Sequence, residues 1–280
     1  MKNRSIWKAC ALFLVLAIIS FFYIVPLTWV VASAIRPASS LYEYANPLTW
    51  RTFIPSEVTM DNFIHIFANL KFGRAIFNSL FVSISTIIIT VFVASMAGFA
   101  LAKFDFKGKA IVFTIVLVTF MIPFESIVIP LYVLIKQLGI ENTYLALILP
   151  GVANGLAVFL FRQFFSEVPT EVMEAARIDG ASWFKIYWKI LLPLSLPAIV
   201  TVIVMIFMFQ WNSLFWPLVA THSSRYEVVQ VAIAAHRSTE NTSWANLFSS
   251  AIAGSLPPII LFLFLQKYFV RGISRTGLKG

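Results

Sequence analysis

The chain has 280 residues, of which 60% are hydrophobic and 12% charged, with a formal net charge of +9. Soluble domains are about 45–50% apolar and about 25% charged, so a water-soluble globular enzyme is excluded and an integral membrane protein is what the composition demands. The single cysteine, Cys10, excludes an intrachain disulfide and a thiolate zinc site, and it lies in an apolar run where a thiol is inert.

The first apolar segment, about residues 9–31, carries no charge and stops before Arg36 and Pro37. Lys2, Arg4 and Lys8 ahead of it, with Ala32-Ser33-Ala34 behind it, imitate a secretory signal and its cleavage site. The run is longer than the about 7–15 residues of a signal core, so a retained first helix is expected. Further spans are expected at about 75–102, 110–135, 143–161, 191–218 and 251–270, each near the roughly 20 apolar residues a bilayer requires. The expected fold class is therefore all-α integral membrane, with six transmembrane helices in one domain over residues 1–280. With the N-terminus cytoplasmic, about two-thirds of the 21 Lys and Arg fall on the inner side, as the positive-inside rule asks. Both termini are then cytoplasmic.

Among the inner loops, residues 166–190 are built differently. Two short helices are expected there. Thr170 caps the first, Glu171 and Glu174 sit in its opening turns where the helix dipole favours carboxylates, and Gly180 ends it in a left-handed turn. Ser182 caps the second, which runs through Trp183, Tyr187 and Ile190 to Pro193. With Lys185, Trp188 and Lys189, the second helix suits the headgroup region. The first, with Glu171, Glu174, Asp179, Ala175 and Ala176, is acidic and small-surfaced. It suits docking into a groove on another protein.

Glu174-Ala175-Ala176, three residues, Gly180, nine residues and Ile190-Leu191-Leu192-Pro193 fill every fixed position of the EAA loop. In this the chain resembles the permeases of binding-protein-dependent ABC importers. The likeness runs through Phe77-Asn78-Ser79-Leu80, Ala97-Gly98-Phe99-Ala100, Met121-Ile122-Pro123, Leu138-Gly139-Ile140-Glu141-Asn142, Trp211-Asn212 and Pro257-Pro258, and it looks like the carbohydrate branch, similar to the maltose permease G subunit. The closing Thr276-Gly277-Leu278-Lys279-Gly280 departs slightly from the branch's usual ending.

The resemblance implies a type I ABC importer transmembrane domain in a bacterial inner membrane, without catalytic or metal-binding residues. It implies a second permease subunit, two ABC ATPase subunits that use ATP and Mg, an extracytoplasmic solute-binding protein and a carbohydrate-class substrate. It gives no role to nucleic acid. The residues agree, since no G-x-x-x-x-G-K-[ST] loop is present to hold ATP. Glu174, Ala175, Ala176, Asp179 and Gly180 are assigned to ATPase coupling. Which sugar, polyol or sugar phosphate is carried is not written in these motifs.

Intramembrane polar residues default to functional hypotheses. Asn78, Glu125, Asn154, Gln210 and Asn212 are the candidates for a substrate pathway, with Gln210 and Asn212 placed first. Helix–helix hydrogen bonding would explain any of the amides, and Glu125 equally suits a place near the outer interface or an ion pair with a loop cation. His65, His222 and His236 fall in outer segments and read as solvated. An ion-coupled secondary transporter is the alternative reading, and it leaves the EAA loop without a purpose. A membrane-embedded enzyme would need His or carboxylate constellations within the spans, which hold no histidine and only Glu125 as an acid.

Overall fold

The computed structural model describes residues 2–43, 47–237 and 243–276. The expected Gly277–Gly280 ending lies outside them. All regular elements among the described residues are helical. In chain order, α1 (Lys2–Ala34), two short helices α2 (Trp50–Phe53) and α3 (Asp61–Ala68), and α4 (Phe72–Lys103) come first. The next apolar stretches are pairs of helices meeting at a bend. α5 (Lys109–Met121) meets α6 (Phe124–Gln137) at 99°, and α7 (Tyr144–Val152) meets α8 (Gly155–Glu167) at 42°. After α9 (Thr170–Ile178), α10 (Trp183–Leu194) meets α11 (Leu196–Trp211) at 76°. The chain continues with α12 (Phe215–Ala220), α13 (Val229–Ala234) and α14 (Trp244–Thr276). α1, α4 and α14 are each long and apolar enough to cross a membrane, and with each bent pair as one span the total is six.

Three of the six expected spans are thus broken by bends, and each bend has a local cause. Ile122 precedes Pro123, and the proline ring forces it into extended backbone (φ −75°, ψ 122°). Asn154 breaks the fourth span by capping a new helix, its side chain accepting the Ala157 N–H at 2.9 Å. At the third bend, the Ser195 hydroxyl bonds back to the Leu191 and Leu192 carbonyls, both at 2.9 Å, which bends helices. The fifth span also stops at Trp211, with α12 beginning a separate turn after it. Within α10, Tyr187–Leu191 is a π-turn. Pro193 cannot donate to the Lys189 carbonyl four residues earlier, and the wider turn relieves that clash.

The described contacts form two compact units, Met1–Gly73 with Ala232–Leu256 and Arg74–Val231 with Pro257–Gly280. In the first, Ala34, Leu41, Ala245 and Phe248 form a small core, and Trp29 meets Phe248 edge-on at 5.3 Å. Buried Asn62 donates to the carbonyls of Ala34 (2.9 Å) and Arg36 (2.7 Å), satisfying acceptors that the end of α1 leaves open. Arg36 is itself buried and donates to the Arg51 carbonyl.

The second unit holds two apolar clusters. One joins Phe99 and Leu101 of α4, Phe161 and Phe165 of α8, Met173 of α9, Tyr187 of α10 and Val202 of α11. The other joins Val82, Ile135, Leu147, Trp216 and Val228. α4 serves both through a buried stripe of small residues, Ser79, Ser83, Thr86, Thr90 and Ala94. Stripes of this kind let neighbouring membrane helices approach closely. At Gly98 the approach is so tight that a Cβ would lie 2.7 Å from the Phe161 Cβ and 2.8 Å from the Arg162 backbone nitrogen.

Candidate functional site

The α9 loop follows the sequence expectation closely, with one shift. Pro169 occupies the N-cap position and Thr170 is the first helical residue, so the expected Thr170 cap is displaced by one. Gly180 has φ +78°. Its N–H bonds the Arg177 carbonyl at 3.0 Å, and the Ala181 N–H reaches back to Ala176 at 2.9 Å. Together these two bonds form a Schellman turn, which requires the left-handed residue. Ser182 caps α10 by accepting the Lys185 N–H at 3.3 Å.

Burial divides α9 into two faces. Met173, only 2% exposed, inserts into the cluster that holds the α4, α8 and α11 side chains, and Ala176 packs beside it. Glu171, Glu174, Ala175 and Asp179 are exposed, and Ile178 is 87% exposed at the end of the helix. An added Cβ at Gly180 would meet nothing within 4 Å. Arg177 closes the loop on itself, donating to the Ala181 carbonyl at 2.8 Å with its guanidinium 5.1 Å from the Trp183 ring centroid. Met173 and Ile178 were not among the residues expected to matter. The signal for Met173 was a large apolar residue three positions before Ala176, on the same face of the helix.

The five pathway candidates separate by what already holds them. Asn78 is fully buried. Its amide donates to the carbonyls of Arg225 (3.0 Å) and Glu227 (2.7 Å), and its oxygen accepts from the Tyr144 hydroxyl at 2.7 Å. Asn154 caps α8. Gln210 donates to the Thr86 hydroxyl (2.9 Å) and the Leu147 carbonyl (3.3 Å), tying α11 to α4 and α7. Asn212 is exposed where α11 ends and donates to the Met208 carbonyl at 2.8 Å. Glu125 is exposed in the first turn of α6, just after the 99° bend, where the positive end of the helix dipole favours a carboxylate. The Phe124 ring meets Phe209 at 6.2 Å and Trp216 at 5.9 Å. That contact brings the Pro123 break and the end of α11 together.

Residues 219–231 are fastened by polar side chains. The Asn142 oxygen accepts the backbone N–H groups of His222 (3.1 Å) and Ser223 (3.0 Å), from a backbone at φ +54°. Ser79 accepts the Val229 N–H at 2.8 Å. Glu141 accepts from the Tyr132 hydroxyl at 2.8 Å and from His222 Nε2 at 3.0 Å, and those two hydrogen bonds, that of His222 first, hold its carboxyl below the usual carboxylate range. Burial pushes the Glu227 carboxyl up. The histidines are therefore not uniformly solvated. His65 is exposed and His222 is paired with Glu141. His236 lies 3.0 Å from the Ser250 hydroxyl, and burial, with His65 adding to it, pushes its imidazole down. Among the described residues, no three His, Cys or carboxylate groups gather as a metal site would need.

These features define a class, a multi-pass membrane protein with broken spans and an anchored helix presented outside them. Residues 91–275 match the family model described as "Binding-protein-dependent transport system inner membrane component", and the chain belongs to that family. It is 38% identical over 269 residues to the arabinooligosaccharides transport system permease protein AraQ of Halalkalibacterium halodurans, covering 94% of each chain. It is 34% identical over 205 residues to the sn-glycerol-3-phosphate transport system permease protein UgpE of Rhizobium meliloti, covering 72% of this chain and 73% of that one. The fold matches a chain in the crystal structure of a bacterial ABC transporter involved in alginate import, with a TM-score of 0.81 at 21% identity over 91% of this chain and 94% of that one.

Proposed function

We propose that residues 1–280 act as one permease domain, and that α9 is the element through which partner ATPase subunits move it. The observation that carries this reading is the division of α9. Met173 shares one apolar cluster with three spans, while Ile178, Glu174 and Ala175 stand exposed beside an open Gly180. Interiors packed at native density transmit displacement rather than absorb it. A push on the exposed face therefore moves α4, α8 and α11 together. Glu174, Ala175, Asp179 and Gly180 form the contact surface, with Ile178 as its apolar anchor, and Ala176 serves the coupling from the inner face beside Met173. In this reading both termini and α9 are cytoplasmic, and ATP and Mg act on the ATPase subunits alone.

On the opposite side, a second permease subunit completes the pathway and a solute-binding protein delivers the substrate. A carbohydrate or polyol derivative is the substrate class favoured by the arabinooligosaccharide and glycerol-phosphate relatives. Glu125 and Asn212 are the pathway-facing pair. Irregular backbone at membrane depth is tolerated only against protein or a water-filled cavity, which suits the break beside Glu125. Asn78, Asn154 and Gln210 hold in register the helices that shape the passage.

The test is docking. Ile178→Asp in the full-length chain, co-expressed with its ATPase subunits, should lose about tenfold or more in co-purified ATPase, as removal of a buried interface anchor does. Unchanged recovery of the ATPase would contradict the assignment of α9.

A further inference from the structure

One feature of the second unit lies outside the coupling and pathway roles. Between α4 and α10 runs a groove of about 350 Å³, within the range of about 300–1,000 Å³ for small-molecule sites. Its lining is apolar: Ile88, Val91 and Phe92 from α4, Trp188 and Leu192 from α10, and Ile203 from α11. Ser95 and Tyr187 also line it, and their hydroxyls bond each other at 2.7 Å. At the rise of an α-helix, the groove lies roughly 12–22 Å along α4 from Lys103, a depth filled by acyl chains in a bilayer.

The stretch of α10 beside it is basic. Lys185 and Lys189 are exposed and flank Trp188 in the chain. No carboxylate occurs anywhere in α4 or from Gly180 to Asn212. Trp188 is half-exposed and stacks on Phe184 at 6.4 Å. A helix of another protein gives these exposed ammonium groups a partner only if it carries carboxylates. A lipid leaves them at the interface with a partner of opposite sign.

We propose that this groove is a binding site for an anionic phospholipid, one acyl chain lying between α4 and the π-turn and the phosphate held by Lys185 and Lys189. Bound there, the lipid braces the π-turn, the junction through which α9 joins α11. The site requires only that these helices lie in a bilayer, and it stands whether or not α9 docks on an ATPase.

The experiment uses the full-length chain with the subunits that accompany it, equilibrated without nucleotide in detergent containing equal phosphatidylglycerol and phosphatidylcholine. Retained lipid is counted by native mass spectrometry. The wild type should retain phosphatidylglycerol in preference. Lys185→Gln and Lys189→Gln should each cut that preference roughly fivefold. Ile88→Trp, at a position 63% exposed and so open to a larger side chain, should reduce retention of both lipids. Equal retention of the two lipids by the wild type, or retention unchanged by all three variants, would overturn the proposal. So would an Ile88→Cys chain that cross-links to a second permease subunit and holds no lipid. ATP hydrolysis by the same preparation reports separately on coupling.

Discussion

Two stretches of the second unit leave the spans and return to them, and they are fastened by different mixtures of packing and hydrogen bonding. The α9 loop is held by apolar packing, chiefly Met173 in the cluster shared with α4, α8 and α11, and its remaining face is left open. Residues 219–231 also bury Ala220 and Val228 in an apolar cluster, and to that packing they add long-range hydrogen bonds from Asn78, Ser79 and Asn142, with Glu141 and His222 at the edge. Packing over many atoms makes a stiff connection without directional demands, which suits an element that must transmit force. Hydrogen bonds from a few polar side chains add point contacts that can be released one at a time. That suits a surface which must change shape when the transporter does.

The largest effect should come from breaking the packed side. Met173→Ala opens a cavity in a fully buried site and should destabilise the chain by about 2–5 kcal/mol. Thermal unfolding in detergent would show this as a lowered midpoint. Hydrogen exchange should rise at residues 170–181 while residues 220–229 stay protected. On the bonded side, Asn78→Leu strands two backbone carbonyls and the Tyr144 hydroxyl, at a cost of about 1–3 kcal/mol. The exchange pattern should invert, with residues 225–229 opening and α9 unaffected. Equal opening of both regions in either variant would mean that the two fastenings are not independent.

The smallest effect concerns protonation. Glu141 is held below the usual carboxylate range, so its clamp contributes stability above the ordinary carboxylate pKa and loses it as pH falls through the folded value. Acidification below the usual carboxylate range should therefore loosen residues 220–223 before α9. Glu141→Gln should remove most of that pH dependence, as followed by exchange at the His222 and Ser223 amides.

The same contrast separates what the sequence makes legible from what it hides. The six apolar stretches, the left-handed Gly180 and the Ser182 cap are local, set by residues within a turn or two of each other. The 99° bend is half-legible. Pro123 forces an extended Ile122, but the angle depends on where α6 packs, with Phe124 against Phe209 and Trp216. The continuation of α10 from Ser182 through Ile190 to Pro193 was legible, and only the wider π-turn that Pro193 imposes at residues 187–191 was not. Asn78 was legible as a polar residue in a span and not as a tether. Its carbonyl partners lie 147 and 149 residues away in the chain, and nothing local announces them. Met173 and Ile178 belong to the same motif as Glu174-Ala175-Ala176 and Gly180. Which of them turns inward is decided by the spans against which α9 packs.

The central claim, that α9 carries motion from an ATPase into the spans, is tested most directly at Gly180. Its φ of +78° tolerates Asn, and a side chain there meets nothing within the chain. Gly180→Trp carries left-handed backbone strain of about 1–2 kcal/mol that Gly180→Asn largely avoids, less than the stability of a typical domain. Equal thermal unfolding midpoints to within that cost show both variants inserted and folded, and what they present to a docked partner is then their difference. In reconstituted complex, substrate-stimulated ATP hydrolysis should survive in Gly180→Asn and be lost in Gly180→Trp, with basal hydrolysis retained. Full stimulation in Gly180→Trp would contradict the account.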